Sequence, residues 1–443
     1  MNKKVYIETL GCQMNKSDTE RIFGILSDIG YNKADIPENA DLLIINTCSI
    51  RAAAENKAYS YLGVWGKWKK SKPDLKIAMC GCVAQHTKES IFKRAPYIDL
   101  IFGTHNIPQL PELISKLDFQ ENVYSILQTP YEPNGEFSII REKGISAWLP
   151  IIEGCDYFCT YCIVPYTRGR QRSRKPQDII QEARNIANEG YKEIVLLGQT
   201  VDSYGKDFKD ENITLSNLLR ELNKIENILR IRFVTSHPAD ITDELISTVK
   251  ELDKVCEYFH IPMQSGNTEV LKQMKRRYSR EEYLVLVEKI RAQMPNVGIT
   301  SDFIAGFPRE TEKQFEDTLS IIEQIGFDHC NTAAYSPRKR TPAAVWKEQL
   351  PQEAKKSRLN LLNEQVKQST IKSNEKYIGK ILEILAENYN EVNGETILNG
   401  RSRNNKIVHF LGKKELIGQL INVEIQESSI WCLKGQIKSL DTF

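Results

Sequence analysis

The sequence predicts an α/β protein in three parts: a small parallel α/β domain, a partial (β/α) barrel of TIM type, and a small antiparallel β-barrel. Three observations predict it. Short apolar runs alternate with helix-periodic stretches over the first hundred or so residues. The alternation restarts near residue 145 with six longer β–α units. Beyond residue 375 it gives way to short strand-like runs between Gly and Asn turns.

In the first part, residues 4–10, 41–46, 75–79 and 98–102 read as strands. Helices are expected at 17–29, capped by Ser17 or Asp18, and from about 50 to 69. Strands spaced by helices pair in parallel, giving a small open sheet. Residues 117–142 are polar and cluster Pro130, Pro133, Asn134 and Gly135, the composition of an irregular connection. In the second part, 147–152, 193–197, 231–235, 258–261, 298–303 and 329–334 are the strand candidates. Helical patterns follow at 176–189, 216–225, 280–294 and 312–325. The loops after these strands carry Gln199, Ser236, His237, Gln264 and Gly306, and a barrel places its reactive groups at such strand ends. A charged helix at 352–375 leads to runs at 379–390, 395–399, 407–410, 420–426 and 431–439, the spacing of a small barrel. The expected domains are 1–118, 143–371 and 374–441, with a linker at 119–142.

The 443 residues are enough for two or three cores, and 41% hydrophobic with 27% charged residues is an ordinary globular balance. A formal net charge of +2 excludes a global basic field, so any nucleic-acid surface must be local. No apolar run approaches a membrane span. The chain starts directly in a strand-like run, without the pattern of a secretory leader. Ten cysteines in such a chain argue for reduced thiols serving metal or redox chemistry, not disulfides. The expected compartment is the cytoplasm, or an organelle that makes its own proteins.

Cys155, Cys159 and Cys162 form a C-x3-C-x2-C run. Three thiols in one short loop can face one soft metal centre, and three ligands leave one coordination position open for chemistry. The bland alternative is a structural zinc with a distant fourth ligand, although zinc motifs usually pair two short clusters. Tyr161 inside the run could shield a cluster, stack on a cofactor, or simply pack. Upstream, Cys12, Cys48 and Cys82 each follow a predicted strand of the first sheet. Loops leaving one edge of a parallel sheet converge, so these thiols should meet and form a second three-thiolate site. Cys80 reads as a strand residue pointing away, with the role of a ligand left open by composition, and Cys256, Cys330 and Cys432 as ordinary thiols.

Arg168, Arg170, Arg172 and Arg174 alternate just after the cysteine run, and Arg401 and Arg403 lie in the β-rich end. Both groups suit phosphate contacts, or are merely solvated faces. His237 and His260 are either acid–base groups or satisfied loop residues.

Glu153-Gly154-Cys155, Ile163-Val164-Pro165-Tyr166-Thr167-Arg168-Gly169 and Ser301-Asp302-Phe303-Ile304-Ala305-Gly306-Phe307-Pro308 make the chain resemble the radical S-adenosylmethionine methylthiotransferases. Leu10-Gly11-Cys12-Gln13-Met14-Asn15, Asn46-Thr47-Cys48 and Gly81-Cys82 resemble that family's N-terminal cluster domain, and the β-rich end its RNA-binding TRAM barrel. Thr235-Ser236-His237-Pro238 resembles the MiaB branch, which acts on dimethylallyladenosine in tRNA. Arg309, Thr200 and Asp202 depart from that branch's usual residues.

The resemblance implies two 4Fe–4S clusters, one on Cys12, Cys48 and Cys82 and one on Cys155, Cys159 and Cys162, together with S-adenosylmethionine. Tyr161, Gln199, Ser236 and Gln264 are the S-adenosylmethionine contacts it implies. The downstream cluster would generate the radical that takes hydrogen from adenine C2, and the upstream cluster would deliver the methylthio group. Arg168, Arg170, Arg172, Arg174, Arg401 and Arg403 would grip the RNA. The partners implied are the anticodon stem–loop of tRNA and an electron donor such as flavodoxin or ferredoxin, for a monomer without a membrane. Two other readings stay open: methylthiolation of threonylcarbamoyladenosine or of a ribosomal-protein aspartate, and a non-catalytic iron–sulfur RNA-binding protein.

Overall fold

The computed structural model describes residues 3–49, 52–129, 138–209 and 212–439. The chain forms two compact units. The first comprises residues 1–143, 153–156 and 162–172, and the second 144–152, 157–161 and 173–443. The loop that carries Cys155, Cys159 and Cys162 is thereby shared: Cys155 and Cys162 belong to the first unit and Cys159 to the second.

The first unit is built on a parallel sheet of six strands: β1 (Lys3–Leu10), β2 (Tyr31–Lys33), β3 (Leu42–Thr47), β4 (Lys76–Gly81), β5 (Leu100–Phe102) and β6 (Val123–Ser125), in the order β2-β1-β3-β4-β5-β6. Period-2 alternation sends Leu43 and Ile45 to one face with Leu62, Trp65 and Met79. It sends Leu42 and Ile44 to the other with Ile22, Ile25 and Leu26 of helix α1 (Gln13–Asp28). Both faces are therefore apolar, as a parallel sheet covered on each side requires. Strand order reverses at β1/β3, which puts a crevice at their carboxyl ends.

Three expectations are corrected here. The sheet has six strands rather than four, because β2 and β6 are short edge strands of three residues each. Val123–Ser125 also puts sheet structure inside the supposed linker at 119–142; its Pro130, Pro133, Asn134 and Gly135 lie outside the described residues, as does residue 50, the expected start of the second helix. Helix α1 begins at Gln13, not at Ser17 or Asp18, because Cys12 and Asn15 close a capping box one turn earlier. Ser17 and Asp18 are interior and buried.

In the second unit six parallel strands follow one another: Ser146–Pro150, Glu193–Leu197, Arg230–Phe233, Tyr258–His260, Gly298–Ala305 and His329–Ala334. They form two three-stranded sheets. Main-chain bonds from Cys256 to Ile231 and from Ser236 to His260 join them, giving the open barrel expected. Helices such as Pro176–Asn188 and Glu312–Ile325 bury Ile179, Ile186, Phe315 and Ile322 against the strands.

The helix Gln352–Glu375 leads into a closed barrel of Ile381–Val392, Glu395–Ser402, Ile407–Leu411, Leu420–Ser428 and Leu433–Ser439. It is not purely antiparallel: Ile407–Leu411 and Leu433–Ser439 pair in parallel to close it. Buried arginines join this barrel to the open one. Arg230 Nη2 donates to Glu383 O at 2.9 Å, and Arg232 donates to Ser402 O at 2.7 Å and Arg403 O at 2.9 Å.

Candidate metal centres and their surroundings

In the first unit, the register pairs Leu10 with Thr47 and Thr47 with Gly81, so the three strand ends stop at one level. Cys12 follows β1 as the N-cap of α1, Cys48 follows β3, and Cys82 opens the helix Cys82–Thr87 after β4. The Cys12 thiol hydrogen-bonds Cys48 and lies within electrostatic reach of Cys82. Gly81 has φ +86°, and a Cβ there would stand 2.4 Å from Thr47 O, so the close approach of β3 and β4 needs glycine. Cys80 is buried in β4 on the face that α1 covers, within electrostatic reach of Asp18 and Cys82, so it does not point away from them.

A polar network that the sequence reading missed holds these loops. Asn15 Oδ1 accepts from Cys12 N at 3.3 Å and from its thiol at 3.4 Å. Asn15 Nδ2 donates to Asn46 Oδ1 at 3.1 Å and Thr47 O at 3.2 Å. Asn46 Nδ2 returns to Asn15 O at 2.9 Å. The only sequence signal was that each asparagine sits within three residues of a candidate thiol.

The hydrogen bond with Cys48, helped by the charge of Arg168, pulls the Cys12 thiol down to about 6 against the effect of burial. Burial pushes Cys82 up, opposed by Arg168. Arg168 itself is buried, with Nη2 2.5 Å from Asp18 Oδ2. Burial opposes its charge, but Asp18, Cys82 and Glu153 outweigh that and hold the guanidinium well above its ordinary value. Among the described residues no His, Cys, Asp or Glu group surrounds a single metal ion. A 4Fe–4S cluster makes a different demand, since its thiolates bind separate irons. Thiols on converging loops, one of them readily ionised, fit that donor chemistry.

In the second unit, the residues between the cysteines are pinned from several directions. Tyr157 stacks on His237 with ring centroids 3.7 Å apart, and the Arg277 guanidinium lies 5.1 Å from its ring centroid. Thr160 donates from Oγ1 to Gln273 O at 2.8 Å and from N to Met274 O at 3.1 Å. Tyr161 meets Phe307 edge-on. Arg276 Nη1 lies 3.6 Å from Cys159 Sγ, with Nη2 anchored on Pro262 O at 2.8 Å. No spacing in the sequence pointed to Arg276.

Gln264 has φ +76° and continues the main-chain pairing, donating to Asp302 O and accepting from Ile304 N. Ser236 Oγ and Thr200 Oγ1 are buried with no hydrogen-bond partner among the described residues. Asp202 Oδ2 accepts from His237 N at 2.8 Å. His237 Nδ1 accepts from Ala239 N, which leaves the proton on Nε2, and burial drives its pKa to about 2. His237 is thus a neutral structural imidazole and not the acid–base group considered above. His260 is held by Thr300 at 2.9 Å and Asp302 at 3.2 Å.

The six arginines assigned to RNA divide. Arg168 is withdrawn from that role by its burial on Asp18. Arg403 is withdrawn because its guanidinium chelates Glu257 at 2.7 and 2.8 Å within the second unit. Arg174 pairs with Glu182 at 2.7 Å, Arg401 with Glu387 at 2.6 Å and Arg172 with Glu153 at 3.1 Å. Arg170 is the most exposed, at 71%, and pairs with Asp156 at 3.2 Å.

The Radical SAM superfamily model matches residues 149–322, and the model described as uncharacterized protein family UPF0004 matches residues 4–103. Over 98% of its length the chain is 48% identical to the tRNA-2-methylthio-N(6)-dimethylallyladenosine synthase of Geobacillus kaustophilus, covering 82% of that protein. It is equally similar to the synthase of the same name from Bacillus licheniformis, of which it covers 86%. Among solved structures it resembles a radical S-adenosylmethionine methyltransferase, TsrM, from Kitasatospora setae. That likeness has a TM-score of 0.57 at 14% identity and covers 78% of this chain and 77% of that one, which is a likeness of fold.

Proposed function

The chain belongs to the family of the tRNA-2-methylthio-N(6)-dimethylallyladenosine synthases, and from that premise we propose that it converts N6-dimethylallyladenosine beside the tRNA anticodon into its 2-methylthio derivative. The observation that carries this reading is the meeting of Cys12, Cys48 and Cys82 at the strand ends of the first unit. A cysteine run alone fits any radical enzyme; a second thiol site fits one that also inserts sulfur.

Cys12, Cys48 and Cys82 would hold one 4Fe–4S cluster, and Cys155, Cys159 and Cys162 the other. When bound, the clusters and S-adenosylmethionine supply hydrogen-atom abstraction at an unactivated C–H bond and the methylthio group that replaces the hydrogen, chemistry beyond any side-chain base. The protein's own part is binding and orientation. Tyr157, clamped by His237 and Arg277, and Thr160, tied to Gln273 and Met274, hold the cysteine loop in one shape. We assign Tyr161, Gln199, Ser236 and Gln264 to S-adenosylmethionine. Two features support that assignment: the partnerless hydroxyls of Ser236 and neighbouring Thr200, and the strained backbone of Gln264.

The substrate base must leave its stack to react, so the tRNA is bound as an opened anticodon loop. Arg170 is the arginine of the original six whose exposure best suits a phosphate contact. Reducing equivalents come from an external donor of the flavodoxin or ferredoxin class, and the enzyme works in the cytoplasm. No helix among the described residues is long and apolar enough to cross a membrane.

Nucleoside mass spectrometry of tRNA from cells lacking the gene tests the proposal. The expected result is loss of the 2-methylthio nucleoside with accumulation of dimethylallyladenosine, restored by the wild-type gene and not by Cys159→Ala. Unchanged tRNA, with an unmethylthiolated ribosomal protein instead, would move the chain to another branch. Rescue by Cys159→Ala would make it a binding protein.

A further inference from the structure

Arg168 follows the Cys155–Cys162 run in sequence, yet its side chain is buried on Asp18 of α1, the helix that Cys12 caps. It follows the short helix Val164–Thr167, which comes directly after Cys162. Within the first unit that helix is tied down by Thr104, whose Oγ1 donates to Thr167 O at 2.9 Å. The Arg168 side chain is 4% exposed, as is that of Asp18. The helix Val164–Thr167 packs against the helix Cys82–Thr87, which brings the buried Arg168 charge within electrostatic reach of the Cys82 thiol, where it outweighs Asp18.

A buried ion pair seldom adds stability over apolar side chains of the same volume. Its position against a thiol therefore calls for another account. A fixed positive charge beside a cluster stabilises the reduced, more negative state. We propose that Arg168 is a positioning residue that raises the reduction potential of the cluster on Cys12, Cys48 and Cys82, with Asp18 limiting the rise. This rests on the reading of those thiols as cluster ligands.

The test uses the full chain with Cys155, Cys159 and Cys162 all changed to Ala, so that one cluster remains. Iron and sulfide content is measured first, then the potential by a redox titration followed by electron paramagnetic resonance. Arg168→Gln should lower the potential and Asp18→Asn should raise it, with Arg168→Lys between Arg168→Gln and the parent. Opposite shifts are the signature of charge; a merely structural pair would give the same defect from either side. Shifts in one direction, or none with full iron, overturn the proposal. If Arg168→Gln loads no iron, Asp18→Asn decides alone, and if neither loads, the pair is a structural strut and the proposal fails. Failure of the triple-Ala parent itself to load iron would instead refute the reading of the thiols as ligands.

Discussion

At the scale of single residues, His237 shows how position decides chemistry. Its Nδ1 is committed to Ala239 N, its ring is stacked on Tyr157, and burial, reinforced by the charges of Arg276, Lys206 and Arg277, drives its pKa from 6.5 to about 2. A depressed folded pKa means that the unfolded chain takes up the proton first. The neutral ring's contribution is therefore complete above pH 6.5 and is lost progressively as pH falls from there toward 2. At pH 5 the loss attributable to this ring is about 2 kcal/mol. His237→Gln should narrow its stability deficit relative to wild type by that amount between pH 7.5 and pH 5. Urea denaturation at the two pH values checks it, and a deficit independent of pH would mean that the ring titrates normally. The other residues at this scale explain what a sequence conceals. Asp18 and Arg168 are 150 positions apart, and nothing in an alternation of arginines says that one faces inward. Arg403 likewise looks like its neighbours until Glu257 is brought beside it by the fold.

At the scale of elements, most of the design was readable because the strands that matter are long apolar runs. β1, β3 and β4 were placed within two residues at each end, and the convergence of Cys12, Cys48 and Cys82 followed from parallel pairing alone. β2 and β6, three residues each, lack the length for a periodic signal, and their edge positions exist only once β1 and β5 are formed. The start of α1 was misjudged because Ser and Asp are commoner caps than Cys. Gly81 is where this element-level design is most exposed to a single change. Gly81→Ala would put a methyl group against Thr47 O and Asn46 Oδ1 at a positive φ. Its expected cost is roughly 1–3 kcal/mol, with displacement of Cys82 from its partners. Iron per chain in the triple-Ala background should fall while helical content stays near wild type. Full iron loading would show that the loop tolerates the side chain.

At the scale of the whole molecule, the C-terminal barrel is built into the open (β/α) array rather than appended to it. Arg232 is buried, donates from Nε to Glu193 Oε2 at 2.6 Å, and donates from Nη2 and Nη1 to Ser402 O and Arg403 O of the barrel. Deleting residues 379–443 would leave Arg230 and Arg232 buried without those acceptors, so lost tRNA binding after truncation would not distinguish an RNA surface from a damaged core. The cleaner probe is a double-mutant cycle on Arg232 and Glu193. Arg232→Met alone strands a buried carboxylate and should cost about 3–5 kcal/mol, whereas Arg232→Met with Glu193→Leu should recover most of it. The coupling should appear in unfolding of the barrel and the open (β/α) array together, followed by denaturant with probes on each, because the shared arginine makes them one cooperative body. Additive substitutions would mean that Arg232 and Glu193 are not coupled. If the barrel melts separately in wild type, the arginine contacts do not join the two. Whether the barrel binds tRNA, as its sequence resemblance implies, could then be tested by truncation after all.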